Sequence, residues 1–119
     1  MTNEEYMRQA CSTRSNLKNF TEIENITHMV IGSSTEANEA LDVVKKYLYY
    51  GEPLDVVNLK EEVGDQLWYI ANLLDTIGSS FEEVMTMNIA KLKARYPEQF
   101  TREKAVNRDL EKERRILEK

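Results

Sequence analysis

One cysteine, two prolines, four glycines and a single histidine are all that the 119 residues hold of those types. Cys11 has no partner for an internal disulfide, which fits a reducing compartment. So few helix breakers, with no alternation of β-branched residues, exclude a strand-rich chain and make long helices the default. Hydrophobic runs are also short. None approaches the roughly 18 apolar residues of a membrane span, and the N-terminal MTNEEYMRQA lacks the apolar core of a signal peptide. A soluble, cytoplasmic protein is expected. Positive charge is the minority sign: 16 Lys and Arg stand against 21 Asp and Glu, for a net charge of −5 and a pI near 5.0. Such a molecule repels nucleic acid and anionic membrane, so neither is an expected partner, and any nucleotide must be gripped locally. The length suits one domain with one core.

Periodicity and capping residues predict four helices and a tail. Thr2 and Glu5 have the spacing of a capping box for a short first helix, which gives out near STRSN, residues 12–16. A long second helix is predicted over Glu22 to Tyr50, with Ile23, Ile26, Val30, Ala37, Leu41, Val44 and Leu48 on its core stripe. GEPLD stops it, because Gly51 suits a C-terminal cap and Pro53 cannot continue a helix. The third helix, Asp55 to Ile77, carries Val56, Leu59, Val63, Leu67, Ile70 and Leu74 at spacings of three and four. Further apolar residues lie off that stripe, so one small bundle cannot cover the whole helix, and a second copy of the chain is the expected cover. Gly78 ends it, Ser80 and Glu83 open a fourth helix, and Pro97 closes that one. The last stretch, TREKAVNRDLEKERRILEK, is charge-dense and reads as a solvated helix or an arm that embraces a partner.

Acids three apart share a helix face, so Glu36/Glu39 and Glu62/Asp65 invite a metal-site reading. Spacing alone is weak support: with 21 acids in 119 residues, roughly 3.6 such pairs are expected by chance, and the chain has four. Angular position says more. At about 100° per residue, Glu36 falls between Ala40, Val43 and Tyr47, Glu39 lies at the edge of that arc, and Glu62 falls among Gln66, Tyr69 and Leu73 with Asp65 beside it. These four acids are expected to face inward, where an unpaired carboxylate is costly. The short turn makes the two helices antiparallel neighbours, and a rise of about 1.5 Å per residue brings the pairs within about a turn of each other. Either salt bridges or divalent cations must then neutralise them, and an all-oxygen cluster suits Mg²⁺ or Mn²⁺. A di-iron bundle would need Glu-x-x-His pairs, whereas His28 follows Asn25 at that spacing and reads as a packing residue. On the fourth helix Asn88, Lys91 and Arg95 share a face, suited to gripping a phosphate chain or to a cationic helix end.

TEANEALDVVKKYLYYGEPLDVVNLKEEVGDQLWYIANLL, followed by NIAKLKARYPEQF, resembles the MazG-like nucleoside triphosphate pyrophosphohydrolases. Their E-x-x-E and E-x-x-D signature is matched by Glu36-Ala-Asn-Glu39 and, after 22 intervening residues, Glu62-Val-Gly-Asp65. Asn38 stands where the family often has Gly. The resemblance implies an all-α, four-helix-bundle type domain over residues 1–100, with 101–119 as a charged helical tail. It implies Mg²⁺, with Mn²⁺ as substitute, held by Glu36, Glu39, Glu62 and Asp65. It further implies a nucleoside triphosphate substrate contacted by Asn88, Lys91 and Arg95, release of monophosphate and pyrophosphate, and a homodimer or homotetramer. With no credible Ser, Cys or His nucleophile, metal-activated water is the natural attacker. Within the same class, a dimeric dUTPase-like or phosphoribosyl-ATP pyrophosphohydrolase relative is the alternative. From another class it is an inactive helical interaction module, against which the costly acid quartet argues.

Overall fold

A computed structural model describes residues 1–15 and 19–119. Asn16, at the predicted end of the first helix, lies outside them. Among the described residues the chain forms six helices and no strands: α1 Asn3–Ser12, α2 Glu22–Tyr50, α3 Val56–Thr76, α4 Phe81–Arg95, α5 Arg102–Val106 and α6 Leu110–Leu117. The fold is all-α.

Local chemistry sets the ends of the helices. Thr2 Oγ1 accepts the Glu5 N–H at 3.1 Å while the Glu5 carboxylate accepts the Thr2 N–H at 2.8 Å, completing the expected capping box. Thr21 and Glu24 repeat the device at the start of α2. That helix stops at Gly51, whose φ of 69° is left-handed and open to glycine at no steric cost, and the Glu52 N–H closes back onto the Lys46 carbonyl at 3.2 Å. Asp55 caps α3 by accepting the Asn58 N–H at 3.0 Å. Arg95 ends α4 two residues before Pro97.

The chain divides into two compact units, Met1–Ser80 and Phe81–Lys119. In the first, α2 and α3 are antiparallel: Gly32 faces Tyr69, whereas Glu36, further along α2, meets Glu62 and Asp65, earlier on α3. Helix α1 runs parallel to α3, since Tyr6 reaches Gly64, Cys11 reaches Ala71 and Arg14 reaches Asp75 in rising order. The buried apolar residues of this unit are few: Ala10, Met29, Val43, Ala71 and Leu74. Asn72 is fully buried among them, its amide N–H donating to the Trp68 carbonyl at 2.9 Å while its Oδ1 has no partner.

This core corrects the stripe expected on α2. Leu41 and Leu48 are 65 % and 62 % exposed, and Ile23 and Val30 are exposed too. The face against the core runs through Met29, Gly32 and Val43, with Glu36 half-buried on it. On α3 likewise, Val56, Val63 and Leu67 are exposed while Glu62, Ala71, Asn72 and Leu74 are buried. Both helices carry apolar residues on two faces, and periodicity marks the richer one without saying which is covered within the chain.

In the second unit α6 packs on α4. The tail, expected as a solvated helix or an arm, forms two capped helices, Thr101 capping α5 and Asp109 capping α6. Glu113 of α6 is only 4 % exposed.

A candidate metal centre between α2 and α3

Met29, Gly32 and Glu36 lie at i, i+3 and i+7, one above another on the face that α2 turns to α3. Gly32 sets the approach: a Cβ there would overlap the Tyr69 ring carbons Cδ1, Cε1 and Cζ. That ring stands edge-on to Trp68 at 5.0 Å and to His28 at 6.0 Å between centroids. Trp68 is tied in turn, its indole N–H donating to Thr13 Oγ1 at 2.7 Å. One turn beyond Gly32, the narrow spacing brings the acids together. Glu36, Glu62 and Asp65 each offer an oxygen, and these oxygens lie within 4.8 Å of one another.

The three carboxyls differ in surroundings. Glu62 is buried, and its Oε1 accepts the Asn58 side-chain N–H at 3.1 Å. Glu36 is half-buried and Asp65 exposed. Burial pushes the Glu36 carboxyl above its usual range, helped by a hydrogen bond with the Glu62 carboxyl and by the charges of Asp65, Glu62 and Glu39. Among the described residues no lysine or arginine pairs with any of the three. The salt-bridge alternative therefore has no cation to work with, and three acidic oxygens at this separation fit a hard divalent cation.

Glu39 is exposed and outside the trio, so two of the four acids expected to face inward, Glu39 and Asp65, are at the surface. Glu39 still acts on Glu36 through its charge. His28 is exposed, with the Phe20 and Tyr69 rings edge-on at 6.4 and 6.0 Å between centroids, and takes no part in the acid cluster. Asn88, Lys91 and Arg95 share one face of α4. Asn88 is exposed and Lys91 half-buried, while Arg95 is tied through Nε to Glu113 Oε1 at 2.6 Å.

Two residues escaped the sequence argument. Asn58 stands four before Glu62, a spacing that signals contact on a helix without saying what the contact is for. Gly32 sits inside a helical pattern, where a glycine often marks a close approach, so its signal was present in IGSSTE. The Tyr6 hydroxyl, donating to the Gly64 carbonyl at 3.4 Å, is pushed up by burial and by Asp65.

The chain matches the MazG nucleotide pyrophosphohydrolase domain over residues 24–100. It belongs to that family, whose activity is the hydrolysis of nucleotide pyrophosphate bonds. Neither the curated proteins nor the solved structures yielded a match. Among the described residues no helix is long and apolar enough to cross a membrane.

Proposed function

We propose that this protein is a cytoplasmic, Mg²⁺-dependent nucleoside triphosphate pyrophosphohydrolase that converts its substrate to the monophosphate and pyrophosphate. The observation that carries the reading is the trio Glu36, Glu62 and Asp65, three mutually close acidic oxygens without a cationic partner, in a chain of this family. Glu39, on the next turn of α2, completes the acid set. A bound Mg²⁺ or Mn²⁺ supplies a water of lowered pKa and offsets charge on the phosphates. Asn58 orients Glu62, and Gly32 with Tyr69 holds the two helices at the distance the trio needs. On α4, Asn88, Lys91 and Arg95 bind the triphosphate, Lys91 as a point charge and Arg95 through its planar fork. A hollow of about 430 Å³, lined by Phe20, Asn25, His28, Met29 and Trp68 among others, opens beside the same α2–α3 pair. Glu36 is eight residues beyond His28, about 12 Å along the helix, which is the scale of an extended nucleotide.

The exposed apolar faces of α2 and α3 support assembly as a homodimer or homotetramer, since Leu41, Leu48, Val56 and Val63 would otherwise remain in water. The test of the function is a panel of NTPs and dNTPs with Mg²⁺, scored for pyrophosphate, alongside EDTA and Glu62→Gln. Hydrolysis of at least one substrate, lost in EDTA and in the variant, is expected. Turnover unchanged in chelator removes the metal reading, and no turnover of any substrate leaves the inactive interaction module.

A further inference from the structure

Arg95 is the α4 residue whose surroundings are least ordinary. Its side chain is only 14 % exposed, its guanidinium carbon lies 5.6 Å from the Tyr96 ring centroid, and its Nε donates to Glu113 Oε1 at 2.6 Å. The other oxygen of Glu113 accepts from Arg108 Nε at 3.1 Å and Nη2 at 2.9 Å. One carboxylate is thus shared by two arginines, and the triad keeps a net charge of +1. Arg95 is clamped without being neutralised. Among the described residues Glu113 is its one ion-pair partner, gripping the Nε edge, and a side-chain hydrogen bond with Tyr96 accompanies it.

The triad borders a hollow of about 150 Å³, lined also by Lys112, Asn107 and Asp109. Asp109 is turned to the α6 backbone, accepting the Lys112 N–H at 3.0 Å, and Glu113 is taken up by the arginines. The lining carries three cations against two carboxylates, a net charge of +1. With a water's share of liquid volume near 30 Å³, the hollow has room for a phosphoryl group, and Arg95 is among its lining residues.

We propose that Glu113 is a positioning residue for Arg95, making α6 part of the phosphate-binding apparatus although it lies beyond the family match, which ends at residue 100. A buried ion pair is weak support for stability by itself, whereas fixing a planar fork toward one ligand uses its geometry. The inference rests on the proposed role of Arg95 in holding the triphosphate.

The experiment titrates pyrophosphate, with saturating Mg²⁺, into the full chain by calorimetry. It compares wild type, Arg95→Met, Glu113→Gln and the double variant, with a thermal melt of each. Glu113→Gln is expected to weaken pyrophosphate binding about tenfold in wild type and to have no further effect in Arg95→Met. Glu113→Asp, which keeps the charge, should recover part of the loss, and it carries the same comparison if Glu113→Gln does not fold. A lowered melting temperature with unchanged pyrophosphate affinity in Glu113→Gln overturns the inference and leaves Arg95's role standing, provided Arg95→Met binds weakly. Full affinity in Arg95→Met removes both.

Discussion

Replacing Gly32 by alanine places a methyl group where the Tyr69 ring already lies. On an isolated helix the change stabilises by about 1 kcal/mol, because glycine is the poorer helix former. Here the ring sits edge-on to Trp68 and His28, at 5.0 and 6.0 Å between centroids, so moving it aside gives up those contacts, and leaving it in place parts α2 from α3. Overpacking of this kind costs about 1–3 kcal/mol beyond what propensity returns, which in a chain of this size is a fall in melting temperature of several degrees. Parting the helices also separates Glu36 from Glu62 and Asp65 one turn away, so stabilisation by added Mg²⁺ should shrink although no acid has changed. Gly64 provides the internal comparison. A Cβ there meets nothing within 4 Å, and Gly64→Ala should stabilise by about 0.5–1 kcal/mol. Thermal melts in EDTA and in excess Mg²⁺ read both effects. A Gly32→Ala protein as stable as Gly64→Ala, with its full response to Mg²⁺, would refute the close approach of the two helices.

Glu36→Gln should raise the melting temperature of the metal-free protein and abolish most hydrolysis, since it removes one of three mutually repelling carboxyls; a lowered metal-free melting temperature would contradict the clustering. Leu41→Glu with Leu48→Glu should shift sedimentation toward the monomer, and an unchanged assembly would place the contact elsewhere. Asn72→Leu, which deletes a buried acceptor without a partner together with the side chain's hydrogen bond to the Trp68 carbonyl, should change stability by less than about 1 kcal/mol in urea melts, the two losses offsetting each other. The Glu24 carboxyl is held below its usual range by hydrogen bonds from the Thr21 side chain and backbone. A depressed carboxyl contributes stability above its unfolded pKa, lost as pH falls through the lowered folded value. Thr21→Ala should therefore cost more at pH 7 than at pH 3, and an equal cost at both would show that the charge of Glu24 contributes nothing beyond the cap bond to its N–H.

Helix ends were legible because they are written in local chemistry: a threonine with a glutamate three residues on, a glycine free to turn left-handed, a proline that cannot continue. Glu36 and Glu62 were legible as inward-facing acids for a related reason, since an angle around a helix needs only the sequence. What could not be read was which of two apolar faces the chain covers itself. The eye follows Leu41 and Leu48, but the packed face is the one with Gly32 and a carboxylate, where hydrophobicity is lowest and fit is closest. Asp65 and Glu39 were misjudged because burial depends on the neighbour's position as well as on the helix's own angle. Glu113 was hidden in a charge-dense tail, where one buried acid among many exposed ones has no distinguishing pattern.

The acid trio is carried on a single hairpin, two helices joined by the short turn at Gly51. Contacts so local form early in folding, and loop closure between them is fast. The carboxylates are therefore expected to confront one another as the hairpin closes, so that their repulsion contributes to the barrier as well as to the final state. Divalent cations should then speed refolding, and the size of that acceleration, compared with the slowing of unfolding, reports how much of the acid cluster is assembled when the chain commits to its fold.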